Sequence, residues 1–132
     1  MAEQVSEVKG EIGAVRIANE VVAIVAGLAA IEVPGLSGMS GGVVGGIAER
    51  LGRKNLAKGV KVEVGEREAA IDLYVIVDFG VRIPDVATQV QTSVKRAVET
   101  MTGLKVVEVN VHVQGVAFGK EEEPEEVETR VR

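Results

Sequence analysis

Three runs in the second half of the chain alternate apolar and polar residues, and this period of two commits them to strands with one buried face. In the first, Val60, Val62 and Val64 interleave with Lys61 and Glu63. In the second, Ile71, Leu73, Val75, Val77 and Phe79 share one side, with Asp72, Tyr74, Ile76 and Asp78 on the other. In the third, Val107, Val109, Val111 and Val113 oppose Glu108, Asn110, His112 and Gln114. The short turn Gly65–Glu68 makes the first two runs a hairpin. Between the second and third, Val86, Val90, Val94, Ala97, Val98 and Met101 recur at spacings of three and four, which predicts an amphipathic helix. Pro84 and Asp85 suit its first turn, and Gly103 suits its C-terminal cap.

The first half reads differently. Residues 12–17 alternate weakly and predict a short strand, with Val15 and Ile17 inward. Asn19 is a candidate N-cap, followed by a helix to about Ile31 that is apolar on most sides. Pro34 and Gly35 end it. Residues 35–46 are half glycine and read as a loop, with a short helical turn at Ile47–Leu51 behind it. The element order is thus β-α-β-β-α-β, that of ferredoxin-like folds. The expected class is α+β: one small mixed or antiparallel sheet with two helices on one face and the other face open. Residues 1–10 read as a flexible arm, 11–117 as the folded domain, and 118–132, with its Glu-Glu-Glu-Pro-Glu-Glu run, as an acidic tail without fixed structure.

Composition narrows the function. The 132 residues suffice for one domain with its own core. Tyr74, Phe79 and Phe118 are the only aromatics, so that core is aliphatic. With no cysteine there is no disulfide, thiolate nucleophile or cysteine-held metal. The longest apolar run, Val21–Ile31, is too short for a bilayer span of about 20 residues. Residues 11–116 carry eleven bases and twelve acids, so the net charge of −5 resides mostly in the ends, a poor footprint for nucleic acid. An RNA-recognition module shares the strand order, but the open face here offers Tyr74 alone, between Asp72 and Asp78.

Catalytic chemistry finds little support. Ser6, Ser37, Ser40 and Ser93 lack a nucleophile-elbow setting, and His112 is the one histidine. Glu63, Asp72 and Asp78 suit only a hard cation and read more simply as surface charge. Neither a metal site nor a cofactor is expected. Two binding regions remain. The open sheet face presents Asp72, Tyr74, Ile76 and His112 to a partner. The glycine-rich loop, with Gly38, Gly41 and Gly42, lies in sequence beside Arg50, Arg53 and Lys54 and reads either as a mobile surface loop or as a site for an anion or lipid head group.

The segments "VRIANEVVAIVAGLAAIEVPGLSGMSGG", "GGIAERLGRKNLAKGVKVEVG", "AIDLYVIVDFGVRIPDVA" and "MTGLKVVEVNVHVQGV" resemble the bacterial alkaline shock protein family, also called envelope stress response proteins. The resemblance spans roughly residues 11–117, and "GRKNLAKGVKVEVG" and "VNVHVQGV" make it specific. It implies a cytoplasmic, non-enzymatic protein of the cell-envelope stress response, without a cofactor. It also implies docking to a membrane-anchored protein, so that contact with the membrane is indirect; together with the open sheet face, it points to an interaction module that self-associates or docks to such a partner. The family supplies no catalytic residues to carry over.

Overall fold

The computed structural model of the chain describes residues 5–40 and 57–118. Its elements are β1 (Val5–Gly10), β2 (Gly13–Ala18), α1 (Asn19–Ile31), β3 (Leu36–Met39), β4 (Val60–Val64), β5 (Glu68–Asp78), α2 (Ile83–Thr102) and β6 (Lys105–Ala117).

The eleven-residue β5 is the axis of the main sheet. Its alternation separates Ala69, Ile71, Leu73, Val75 and Val77, all buried, from half-buried Ala70, Asp72, Tyr74 and Ile76. Two short strands share one flank of it end to end, both antiparallel. β4 pairs Val60 with Leu73 through Val64 with Ala69, and β3 continues the flank with Met39 opposite Val75 and Leu36 opposite Val77. On the other flank lies β6, parallel to β5 from Glu68↔Lys105 to Asp78↔Ala117. A parallel neighbour needs a long crossover, and α2 supplies it.

Val22, Val25, Ala26 and Ala30 of α1 and Val86, Val90, Val94 and Val98 of α2 close over the inner face, forming one aliphatic core with β5. Small residues at the centre of α1 (Ala26, Gly27, Ala30) are buried, and Ser93 Oγ of α2 donates to the Ala29 carbonyl at 3.3 Å. The start and end of α2 follow expectation. Pro84 stands in the first turn, and Gly103 takes the left-handed C-cap at φ +80°.

The α+β class and the two helices on one sheet face are those the sequence predicts; several details differ. Residues 5–10 are not a free arm: β1 pairs antiparallel with β2, from Val5↔Ala18 to Gly10↔Gly13. This hairpin lies outside the main sheet, in which β3, β4 and β6 occupy both flanks of β5. Accordingly Ile17 packs on the core while Val15, predicted inward, is 62% exposed. Part of the predicted glycine loop is β3, so residues 36–39 belong to the sheet. Asn19 does not cap α1; Ala18 holds that position, and Asn19 Nδ2 donates instead to the Val62 carbonyl of β4.

Three further apolar residues assigned to buried faces are exposed, each because its element ends or shifts register. Phe79 lies one residue beyond β5 and stacks on Phe118, with ring centroids 5.1 Å apart. Met101 is in the last turn of α2. Val107 falls in a β-bulge: Ala69 pairs with Val106 and Ala70 already with Glu108, so Val107 has no opposite residue and turns outward.

Candidate functional site

The outer face of the main sheet collects polar side chains from neighbouring strands. Register does this directly. Lys61 of β4 is opposite Asp72 of β5, Asp72 is opposite Asn110 of β6, and Tyr74 is opposite His112. Side chains directly opposite on one face have Cβ atoms about 5 Å apart, close enough for each pair to interact.

The Tyr74 and His112 rings stack, with centroids 4.5 Å apart and 12° between their planes. Lys61 Nζ stands 5.6 Å from the Tyr74 ring centroid, within cation–π reach. On one side of the stack, Asp72 Oδ1 lies 3.2 Å from His112 Nε2 and accepts a hydrogen bond from Asn110 Nδ2 at 3.0 Å. Asn110 Nδ2 also donates to Glu108 Oε2 at 2.9 Å. On the other side, Ser40 Oγ donates to Gln114 Oε1 at 3.0 Å, reaching from the β3 flank to β6. The hydrogen bond from His112, then that from Asn110, hold the Asp72 carboxyl below the usual carboxylate range, with a smaller contribution from Lys61 and against a modest opposing effect of burial.

Two backbone features fix Tyr74. Its N–H donates to the Gly59 carbonyl at 2.8 Å, and its own carbonyl accepts the Ser40 N–H at 2.7 Å. Tyr74 is therefore the joint where the β3 segment hands over to the β4 segment. Gly59 has φ +80°, and a Cβ there would come within 2.9 Å of the Ser40 oxygen and 3.0 Å of the Tyr74 oxygen. Ile76 completes the face beside a second bulge. Gly115 lies opposite it, and a Cβ on Gly115 would approach the Ile76 side chain at 3.5 Å.

All four residues predicted to meet a partner (Asp72, Tyr74, Ile76 and His112) thus lie on one contiguous face. Lys61, Asn110 and Gln114 join them in contacts that alternation alone does not specify, since alternation assigns a side and leaves the cross-strand partner open. Of the residues predicted to bind an anion, Gly38 lies in β3 opposite Ile76. Gly41, Gly42, Arg50, Arg53 and Lys54 lie outside the described residues. Among the described residues, no cluster of three or more His, Asp and Glu side chains has the geometry to hold a metal ion.

Residues 7–118 match the model of the alkaline shock protein family, described as having a cell envelope-related function. The chain belongs to this family. Its relatives include the Bacillus subtilis proteins YqhY, 43% identical over 107 residues covering 81% of this chain and 79% of YqhY, and YloU, 41% identical over 112 residues covering 83% and 93%. A Streptococcus pyogenes protein called a stress response regulator gls24 homolog is 32% identical over 110 residues. Those residues cover 83% of this chain but 62% of that longer protein. The expected membership in an envelope stress family therefore holds, and this alkaline shock family member belongs with proteins described by envelope function and stress response rather than by a reaction. The C-terminal domain of MamM shares a distant likeness, at 18% identity and a TM-score of 0.43, over 73% of this chain and 95% of that domain. Among the described residues, no helix is long and apolar enough to cross a membrane.

Proposed function

We propose that this alkaline shock family chain is a non-enzymatic docking module of the cell-envelope stress response. It works in the cytoplasm and takes a membrane-anchored protein on the outer face of its main sheet. The observation that carries this reading is the Tyr74–His112 stack. A broad, half-exposed ring pair sits on two long paired strands, with Ile76 beside it and hydrogen-bonded polar groups around it. An aromatic anchor inside a polar rim is the anatomy of a protein-binding surface.

The same geometry argues against catalysis. His112 and Asp72 face each other, but the nearby hydroxyl of Ser40 is engaged with Gln114. A nucleophile–base–carboxylate relay requires that hydroxyl to address the imidazole.

Affinity capture with the full chain from membrane and soluble fractions tests the reading. The wild type is expected to retain a small membrane-anchored protein, and Tyr74→Asp combined with Ile76→Asp to lose it. Retention by the double variant, together with loss on charge reversal at Arg50, Arg53 and Lys54, would transfer the function to an anion or lipid head-group site.

A further inference from the structure

The outer face of the main sheet changes character along its strands. Around the Tyr74–His112 stack its charges are matched. Lys61 stands over the Tyr74 ring and opposite Asp72, and Asp72 bonds with His112 and Asn110. One row beyond Asp72, toward the β4–β5 turn, the matching stops. Ala70 is the centre of that row, with Glu63 of β4 opposite it on one side and Glu108 of β6 on the other. Glu68 ends the same face of β5. Among the described residues, no base forms an ion pair with Glu63, Glu68 or Glu108. The Glu99 carboxyl of α2 is lowered by its Val106 hydrogen bond, by Lys95 and, least, by Lys105, so the Lys105 charge, opposite Glu68 in register, bears on Glu99. Glu66 and Arg67 of the turn offset each other.

The row also has a hollow. A depression of about 400 Å³ lies over Ala70, with Glu63 and Glu68 in its wall and Val107, 51% exposed, as its apolar side. The bulge that drops Val107 from the ladder is what frees its side chain for this position. Carboxylates beside an apolar wall fit a long basic side chain. Its methylene stem lies along Val107 and Ala70, and its charged head meets the acids.

We propose that the Ala70 row takes a lysine or arginine from the cytoplasmic flank of the membrane-anchored partner, while the Tyr74–His112 stack takes an apolar residue of the same segment. This inference rests on the docking function proposed above for that face. Charge complementarity selects the occupant. Three acids lack a basic partner, and the nearby base, Lys61, is already placed over an aromatic ring. Membrane-anchored proteins concentrate lysine and arginine in the short cytoplasmic segments beside their spans. The anionic head groups of the membrane surface are repelled by the same acids, which leaves the protein segment as the ligand. Four residues of β5 separate Ala70 from Tyr74, about 13 Å along the strand, so the base and the apolar residue stand about four residues apart in an extended segment.

Nuclear magnetic resonance on the full, isotopically labelled chain tests this with a synthetic peptide, Lys-Ser-Gly-Ser-Leu repeated twice, and its counterpart with glutamate for lysine. The lysine peptide is expected to shift the amides of Glu63, Glu68, Ala70 and Glu108 together with those of Tyr74 and His112, and the glutamate peptide to leave them unmoved. Glu63→Gln with Glu108→Gln, both at exposed positions, is expected to weaken the lysine peptide by about tenfold or more. Glu63→Lys with Glu108→Lys is expected to exchange the preference, so that the glutamate peptide binds instead. No shift at about 1 mM lysine peptide, shifts confined to other surfaces, or equal binding of both peptides would overturn the proposal. So would movement of these resonances when the protein concentration alone is raised, which would give the row to a second copy. Affinity capture separates this inference from the docking reading. A membrane protein lost on Tyr74→Asp with Ile76→Asp but fully retained by Glu63→Gln with Glu108→Gln removes the basic contact and leaves the docking face in place. Peptide binding at the Ala70 row in a chain that still captures the protein through Tyr74→Asp with Ile76→Asp removes the docking face and leaves the pocket for a basic side chain.

Discussion

The amide of Tyr74 donates to the carbonyl of Gly59 at 2.8 Å, beneath the same ring that stacks on His112. A backbone contact at the joint of two strand segments therefore sets the position of the aromatic anchor on the opposite flank. Gly59 achieves this with φ +80°, against backbone atoms that leave no space for a side chain.

Gly59→Ala is accordingly expected to lower stability by about 1–3 kcal/mol, from the left-handed backbone and the displaced Ser40 and Tyr74 carbonyls. Urea unfolding measures it. A loss below about 0.5 kcal/mol would mean that the joint is not constrained as described.

Asp72 makes part of the stability acid-sensitive. Its carboxyl titrates lower in the folded state than in the unfolded one, so its contribution is present above the unfolded value, about 3.9, and disappears as pH falls through the folded value. The Asp72 and His112 side chains are 37% and 42% exposed, and solvent screening limits the effect to below about 1 kcal/mol. The stability difference between wild type and Asp72→Asn should shrink when denaturation is repeated at progressively lower pH. A difference that does not change with pH contradicts this account.

Leu73 and Phe79 follow each other on the same parity of one alternating run, yet they should respond oppositely to truncation. Leu73 is fully buried, and Leu73→Ala is expected to cost about 2–5 kcal/mol. Phe79 is 71% exposed with Phe118 as its stacking partner, so Phe79→Ala should cost about 1 kcal/mol or less. Thermal or chemical unfolding of the two variants side by side separates them, and equal losses would place Phe79 in the core.

The start of β6, where α2 side chains meet its backbone, offers a local test. Gln91→Ala removes the donor to the Val109 carbonyl and should cost about 0.5–1.5 kcal/mol. Glu99→Ala should speed hydrogen exchange at the Val106 amide, whereas amides bonded to β5 keep their protection. The Val106 hydrogen bond, followed by Lys95, holds the Glu99 carboxyl below its ordinary range. This contact is therefore present at neutral pH and is lost as acid protonates the carboxylate.

Sequence alone determined which residues form strands and helices wherever the period was unambiguous. Period two placed Ile71, Leu73, Val75 and Val77 inward and Asp72, Tyr74 and His112 outward, and period 3.6 placed Val86, Val90, Val94 and Val98 on one helical face. Pro84 and Gly103 marked the ends of α2 because their backbone restrictions are local. Tertiary structure decided the rest. Alternation assigns a side to each residue but does not specify which strand lies next to it. The parallel pairing of β5 with β6 is what brings Tyr74 to His112 and Asp72 to Asn110. The bulges that expel Val107 and seat Ile76 over Gly115 arise from fitting two long strands of different length, which neither sequence shows in isolation. The placement of β2 is also a matter of pairing: it joins β1 in a separate sheet, while the flanks of β5 are taken by β4 and β6, far along the chain, and by β3.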